Sequence, residues 1–326
     1  MGLSDITGVF SRYFIVGFFM PAYVALIALW LTASQGFIPD TLTSHAEGTQ
    51  LVILGGVALV LALLLSGLNY PLTRWAEGYP LMRLRGPVVK LVPTAAVTLQ
   101  RWSHDRLADK LTSDKTSEGE KARAEWQLDQ LFPKDKADLL PTRIGNAMRA
   151  YEQHSNNRWG LDGVTSWPRI QALLSDGERE SLVDAKIDLY VFLNAAFLAL
   201  GVAVCLVVDR LVHKPATSAW LYLIPFAVAY LLYRAAIGPA VRRGAYVRSG
   251  VDLHRLELYE KLGFRKPASL SEEKTIGERI SQLLLYGDAE LQQDWWAAQP
   301  TTTGADGATD ERAKTLLELI EEWMRR

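Results

Sequence analysis

The sequence holds a single cysteine, Cys205, in 326 residues, and that scarcity excludes an internal disulfide framework and any cysteine-based zinc centre. Cys205 lies within an apolar run, where a thiol behaves as a small hydrophobe. An excess of one charge is also lacking: 35 Lys and Arg against 36 Asp and Glu leave a formal net charge of −1, so the chain has none of the polybasic character that coats nucleic acid. The catalytic signatures GxxxxGK[ST], HExxH and GxSxG are missing, as is a GxGxxG opening a helix; each would supply a phosphate cradle, a zinc site or a nucleophile. No enzymatic activity, cofactor or metal is expected. No segment alternates β-branched and polar residues over the length of a strand, so sheet is not expected either.

What is present is segregation. Mean hydropathy is only +0.05, yet the chain divides into long apolar runs and charged stretches. A helix needs about 20 apolar residues to cross a bilayer core of about 30 Å. Runs of that length lie at about Tyr13 to Ala33, Leu51 to Leu72, Ile187 to Val208 and Ala219 to Ala236, with Asp188 near the start of the third and Arg234 near the end of the fourth. Tyr13, Trp30, Tyr70, Tyr190, Trp220 and Tyr233 lie near the ends of these runs, where amphipathic rings favour the membrane interface. The first run is longer than a signal-peptide core and contains Pro21, so it is expected to be retained. Ile6 stands where a myristoylation signal needs Ser or Thr.

Basic residues set the expected orientation. The stretch Ser34 to Gln50 has no lysine or arginine, whereas Arg74, Arg83, Arg85 and Lys90 follow the second run and Arg234, Arg242, Arg243 and Arg248 follow or end the fourth. The positive-inside tendency then puts both termini in the cytoplasm of a bacterial inner membrane protein. Arg210 and Lys214 in the third connection run against this trend without outweighing it.

The expected architecture is all-α: four transmembrane helices in two hairpins, with a helical cytoplasmic domain formed by the central loop and the C-terminal region. The divisions are 1–72, an N-terminal segment with the first hairpin; 73–185, a cytoplasmic helical region; 186–237, the second hairpin; 238–300, a cytoplasmic helical extension; 301–310, a linker; and 311–326, a terminal amphipathic helix. Trp75, Trp102, Trp126, Trp159 and Trp167 mark the central region as packed. Val97, Arg101, Leu107 and Leu111 recur at helical spacing, as do Trp126, Leu128 and Leu131 before Pro133. Asp114 to Lys121 reads as a turn. After the fourth run a helix continues toward Gly263, and Ser269 with Glu272 forms a capping box for the next helix, which ends at Gly287. In the terminal helix Leu316, Leu317, Ile320, Trp323 and Met324 share one side, a surface suited to a cytoplasmic protein partner.

The blocks Pro141-Thr142-Arg143-Ile144-Gly145-Asn146, Arg149-Ala150-Tyr151-Glu152, Arg158-Trp159-Gly160-Leu161-Asp162 and Trp167-Pro168-Arg169 resemble a pattern in uncharacterised multi-pass membrane proteins of bacteria. The resemblance runs from about Pro141 to Tyr286, supports the architecture and implies no chemistry. In architecture the chain also resembles membrane effectors of bacterial anti-phage systems.

Within these blocks Thr142 can cap a helix with Arg143, Asn146 and Arg149 at helical spacing. Backbone N–H groups at such a start, with arginines nearby, suit a phosphate. Trp159 and Trp167, flanked by Arg158 and Arg169, offer stacking surfaces of the kind that take bases. A nucleotide or oligonucleotide ligand follows; equally, Thr142 serves as a plain cap, the arginines pair with Glu152 and Asp162, and the tryptophans fill a core. His104, Asp105 and Asp109 can share a helix face as metal ligands or simply form a solvated face. In the spans Ser66, Asn69, Asp188 and Asn194 are the polar residues that lipid rejects, suited to a pore or to the bundle interior. The first reading is a homo-oligomeric channel or membrane-disrupting effector gated by its cytoplasmic domain; the alternative is a non-catalytic scaffold presenting cytoplasmic helices to a partner; an enzyme acting on lipid or sugar phosphates through Arg143, Arg149 and Glu152 comes last, for want of a catalytic signature.

Overall fold

The computed structural model describes residues 12–33, 46–83, 87–213 and 222–287. Most of the stretch Ser34 to Gln50, Arg85, Lys214, Trp220, the linker 301–310 and the terminal helix with Leu316, Leu317, Ile320, Trp323 and Met324 lie outside the described residues. Those described are helical, with no β-strand among them.

Four helices are long and apolar enough to cross a membrane, each holding an 18-residue stretch with mean hydropathy between 1.5 and 2.6, and they mark the chain as a multi-pass membrane protein. The first, α1 (Arg12–Thr32), contains a π-helical turn over Ile15–Phe19. Pro21 explains it: proline has no N–H for the carbonyl four residues back, and its ring crowds that carbonyl. The second, α2 (Glu47–Gly67), stops short of the expected Leu72. Pro71 has no N–H for the Gly67 carbonyl, so the chain breaks at Leu68 and restarts as α3 (Asn69–Glu77). A short α4 (Tyr79–Met82) leads to α5 (Pro87–Thr112).

The expected turn from Asp114 to Lys121 is shorter than the composition suggested. Helix α6 (Glu118–Leu131) begins within it, because Ser117 accepts from the Glu120 N–H while Glu120 reaches back to the Ser117 N–H, the reciprocal capping box. Then follow α7 (Arg143–Glu152), α8 (His154–Trp159) and α9 (Gly163–Leu173). The third and fourth apolar runs are parts of far longer helices, α10 (Asp176–His213) and α11 (Ile224–Lys261), of 38 residues each. At 1.5 Å per residue each is about 57 Å long. Helix α11 runs without a break through Gly238 and buried Pro239. It ends before Gly263, which takes the left-handed φ of 85° expected of a C-terminal glycine. The last described helix is α12 (Leu270–Tyr286), closed by Gly287 at φ 65°. Its Ser269 cap accepts from the Glu272 N–H, but Glu272 reaches the Ala268 N–H at 2.6 Å instead of closing the box on Ser269.

Helices α10 and α11 pack along each other, α1 lies against α10, and α2 against α1. Two apolar cores follow the chain away from the spans. One joins Phe18, Ala22, Ala58 and Ala62 to Met148, Tyr151 and Tyr190; the other joins Trp159, Leu161, Ile170, Tyr259, Phe264, Ile276 and Ile280. Trp167 packs against both.

Candidate functional site

The Pro141 to Arg169 block lies where α3, α5, α11 and α12 meet. Thr142 caps α7, its hydroxyl accepting the Gly145 N–H at 3.0 Å. A side chain at Gly145 would strike the Glu77 carbonyl, so α3 ends directly on the backbone of α7. Asn146 is fully buried: its Oδ1 accepts the Leu140 N–H at 2.7 Å, and its Nδ2 donates to the Leu140 carbonyl at 3.0 Å and to Gln100 at 3.4 Å. Its side chain thus closes the loop before α7.

The arginines and tryptophans separate around this frame. Arg143 donates to Ser103 on α5 at 3.4 Å, while Arg149 turns to the Tyr79 hydroxyl at 3.4 Å and to Asp138 at 3.5 Å. Arg158 is exposed and lies 5.1 Å from the Trp159 ring centre; exposed Arg169 donates to the Thr165 carbonyl at 2.7 Å. Trp159 is buried, its Nε1 donating to Asp252 at 2.7 Å with the Arg255 guanidinium 3.7 Å over the ring. His154 Nε2 lies 3.0 Å from the same carboxylate, and Arg255 pairs with Glu273 at 2.6 Å. Trp167 meets α11 at Gly250. Asp162 caps α9 by accepting from Thr165 N–H at 2.8 Å, and its own N–H donates to Ser281 of α12 at 2.7 Å. Asn146, Trp159 and Trp167 are thus brought into the packing, and the four arginines are divided among different neighbours.

Of the polar residues in the apolar runs, Asn194 is buried and donates to the Gly17 carbonyl at 2.8 Å. Asp188 pairs with Arg242 at 2.8 Å, joining α10 to α11. Ser66 is exposed and donates to the Leu63 carbonyl of its own helix at 2.9 Å. Asn69 opens α3, its carbonyl accepting from Thr73. On α5, Asp105 lies 3.3 Å from His104 Nδ1 and pairs with Lys136 at 2.6 Å; no cluster fit to hold a metal occurs among the described residues.

Three cavities border the block, one of them beside Arg143, and two hold buried charges. One, about 330 Å³, is lined by His104, Glu125, Asp129, His154, Asn157 and Arg248 among others. Arg248 is buried and binds Asp129 twice, by Nη1 to the carboxylate at 2.7 Å and by Nη2 to the carbonyl at 2.8 Å. The other, about 190 Å³, places Glu152 and Arg243 beside Tyr151, Ser155 and Trp167. Glu77 is buried close to this group. Burial pushes its carboxyl up to about 6, against the pull of Arg74 at 3.0 Å. Burial also raises the Glu152 carboxyl, with Arg149, Arg74 and Arg243 opposing. The cluster of Arg74, Glu77, Glu152 and Arg243 thus gathers two carboxyls whose burial favours the protonated form.

Comparison with known protein families, curated proteins and solved structures finds no match to this chain.

The cluster of arginines and carboxyls was not apparent in the sequence. Arg74 and Arg243 read there as residues flanking apolar runs, Glu152 as a partner of the block's arginines, and nothing at Glu77 distinguishes it from a solvated acid. The chain distance between α3, α7 and α11 hides a proximity that only packing creates.

Proposed function

We propose that this chain is an integral membrane protein whose helical body governs the state of its spans, acting as a homo-oligomeric channel or membrane-disrupting effector. The lysine and arginine bias supports a bacterial inner membrane location with the body and both termini in the cytoplasm. The observation that carries the proposal is the continuity of α10 and α11, each 38 residues long. Both run from the apolar spans into the body without a break, so a shift of the body is transmitted along rigid elements rather than absorbed in a hinge. Assembly of several copies would bury part of the outer faces of the apolar windows, of which 17 to 28% is buried within one chain. It also fits an apolar groove of about 590 Å³ between α1, α10 and α11. Anti-phage defence enters by architectural resemblance alone, and a nucleotide-type signal at the body would be one input. Purified protein in planar bilayers should pass current in discrete steps; silence under all conditions, nucleotides included, overturns the proposal.

A scaffold is the second reading. It is favoured by the polar groups of the body, such as Asn146 and the Trp159, Asp252 and His154 set, which are spent on one another. It requires that deleting Asp310 to Arg326 abolish recovery of a protein partner while leaving the membrane fraction unchanged.

A further inference from the structure

The stretch Pro87 to Leu99 that opens α5 carries Lys90 as its one charged residue. Apolar segments of about 10–14 residues are too short to cross a bilayer and belong to a packed core or to the membrane interface. Exposure excludes the core: Leu91 is 65%, Leu99 60% and Trp102 58% accessible. With exposed Ala95 they recur at i, i+4, i+8 and i+11, a single stripe along the helix. Past Trp102 the character changes. Arg106, Asp109 and Lys110 are exposed, and the Arg106 guanidinium lies 5.5 Å from the Trp102 ring centre. Aliphatic, then tryptophan, then charged is the order met by a helix leaving the acyl region, since tryptophan favours the headgroup layer and arginine reaches the phosphates.

A second observation sets the depth. The Ile144 N–H donates to the Tyr233 hydroxyl at 3.5 Å, and Tyr233 lies near the end of the apolar run of α11, beside exposed Arg234. From the same turn of α7, Arg143 donates to Ser103 and Asn146 to Gln100, each at 3.4 Å. Helix α7 therefore ties Gln100 and Ser103 to the boundary level of α11, and the apolar stripe borders that point.

We propose that the face formed by Leu91, Ala95, Leu99 and Trp102 is embedded in the lipid interface, making the first half of α5 an anchor beside the spans that slants out of the acyl region toward Trp102. The inference rests on the membrane reading of the four apolar helices and not on any channel activity. Lipid is the occupant because the stripe is held at the level where a span ends, and because exposed Arg83 suits anionic headgroups.

The test uses the full chain with Cys205→Ser as background, reconstituted in vesicles of phosphatidylethanolamine and phosphatidylglycerol. A nitroxide is attached through Leu91→Cys, Leu99→Cys or Asp109→Cys, with Val60→Cys on α2, at a site 59% accessible, as the lipid reference. Labels at 91 and 99 should relax with oxygen as the label at 60 does and be shielded from a water-soluble nickel chelate; the label at 109 should show the reverse. Accessibility of 91 and 99 to nickel overturns the anchor. Shielding from both agents also overturns it, because protein, a second copy included, then covers the stripe. A water-exposed label at 60 instead defeats the membrane reading itself. The two α5 positions are read independently, so poor folding of one variant leaves the other decisive.

Discussion

Asn194 of α10 donates its side-chain N–H to the carbonyl of Gly17 in α1 at 2.8 Å. Gly17 stands four residues before Pro21, the position whose N–H would serve that carbonyl in a regular α-helix. The π-helical turn over Ile15–Phe19 and the neighbouring asparagine are therefore two answers to one missing donor. In hydrocarbon, where no water can substitute, an unserved carbonyl is costly.

Asn194→Leu should lower the unfolding midpoint in detergent, with a cost of about 0.6–2 kcal/mol for an interhelical hydrogen bond in a membrane protein. Pro21→Ala restores the local donor. In that background the same asparagine substitution should cost measurably less, and strict additivity in the double-mutant cycle would disprove the link.

Gly145→Ala should cost about 1–3 kcal/mol, the usual penalty for overpacking a tight contact. The obstacle is the Glu77 carbonyl, a backbone atom that cannot rotate away. Gly177→Ala, where nothing crowds the added carbon, serves as the control; equal midpoints for the two variants would refute the contact.

The Glu77 carboxyl predicts a pH dependence of definite sign. Glu77 titrates near 6 in the folded chain against an ordinary value of 4.5, so the folded state holds the proton more tightly than the unfolded one. Its contribution to stability is greatest below about pH 4.5 and is lost as pH rises through about 6. At 1.36 kcal/mol per pKa unit this amounts to about 2 kcal/mol. Glu77→Gln should flatten thermal midpoints measured across that interval. Glu152, raised by burial too, leaves a residual slope of the same sign.

Asp129 and Arg248 should respond unequally to truncation. The arginine side chain is 9% exposed and the aspartate 56%. Asp129→Ala leaves the buried guanidinium only the bond to the residue 129 carbonyl and should cost about 1.5–3 kcal/mol. Arg248→Met leaves a carboxylate that water can reach and an apolar filler of similar reach, so its cost should be near 1 kcal/mol or below. Chemical denaturation midpoints distinguish the two, and equal losses would count against the assigned burial.

Local signals were read from the sequence with fair success. Thr142, Gly263 and Gly287 act at helix ends as their side chains or lack of them demand, and the described parts of the four apolar runs fall almost wholly on helices. The cap at Ser117 was readable from Glu120 three residues on, yet the polar composition around it suggested only a turn. Pro71 shortened α2 and Pro21 wound α1 into a π-turn, whereas Pro239 left α11 unbroken; which outcome a proline takes depends on neighbours that a single sequence does not display. The candidate ligand residues fared differently for the same reason. Helical spacing put Arg143, Asn146 and Arg149 on one short helix, but α3, α5 and α11 approach that helix from separate directions and divide the side chains among them.

The length of α10 and α11 has an electrostatic consequence. With the spans across the bilayer and the body on the cytoplasmic side, as proposed, a helix of about 57 Å less a hydrocarbon core of about 30 Å leaves about 27 Å projecting, which sets the body within a few Debye lengths of the headgroups, each about 8 Å. Glu77 is ten residues past the last residue of α2. At such range an anionic surface near −30 mV concentrates protons by roughly threefold at contact and progressively less with distance. The proton activity that this carboxyl experiences is then set partly by lipid composition, so a change in anionic lipid at constant bulk pH would act on it as acidification does.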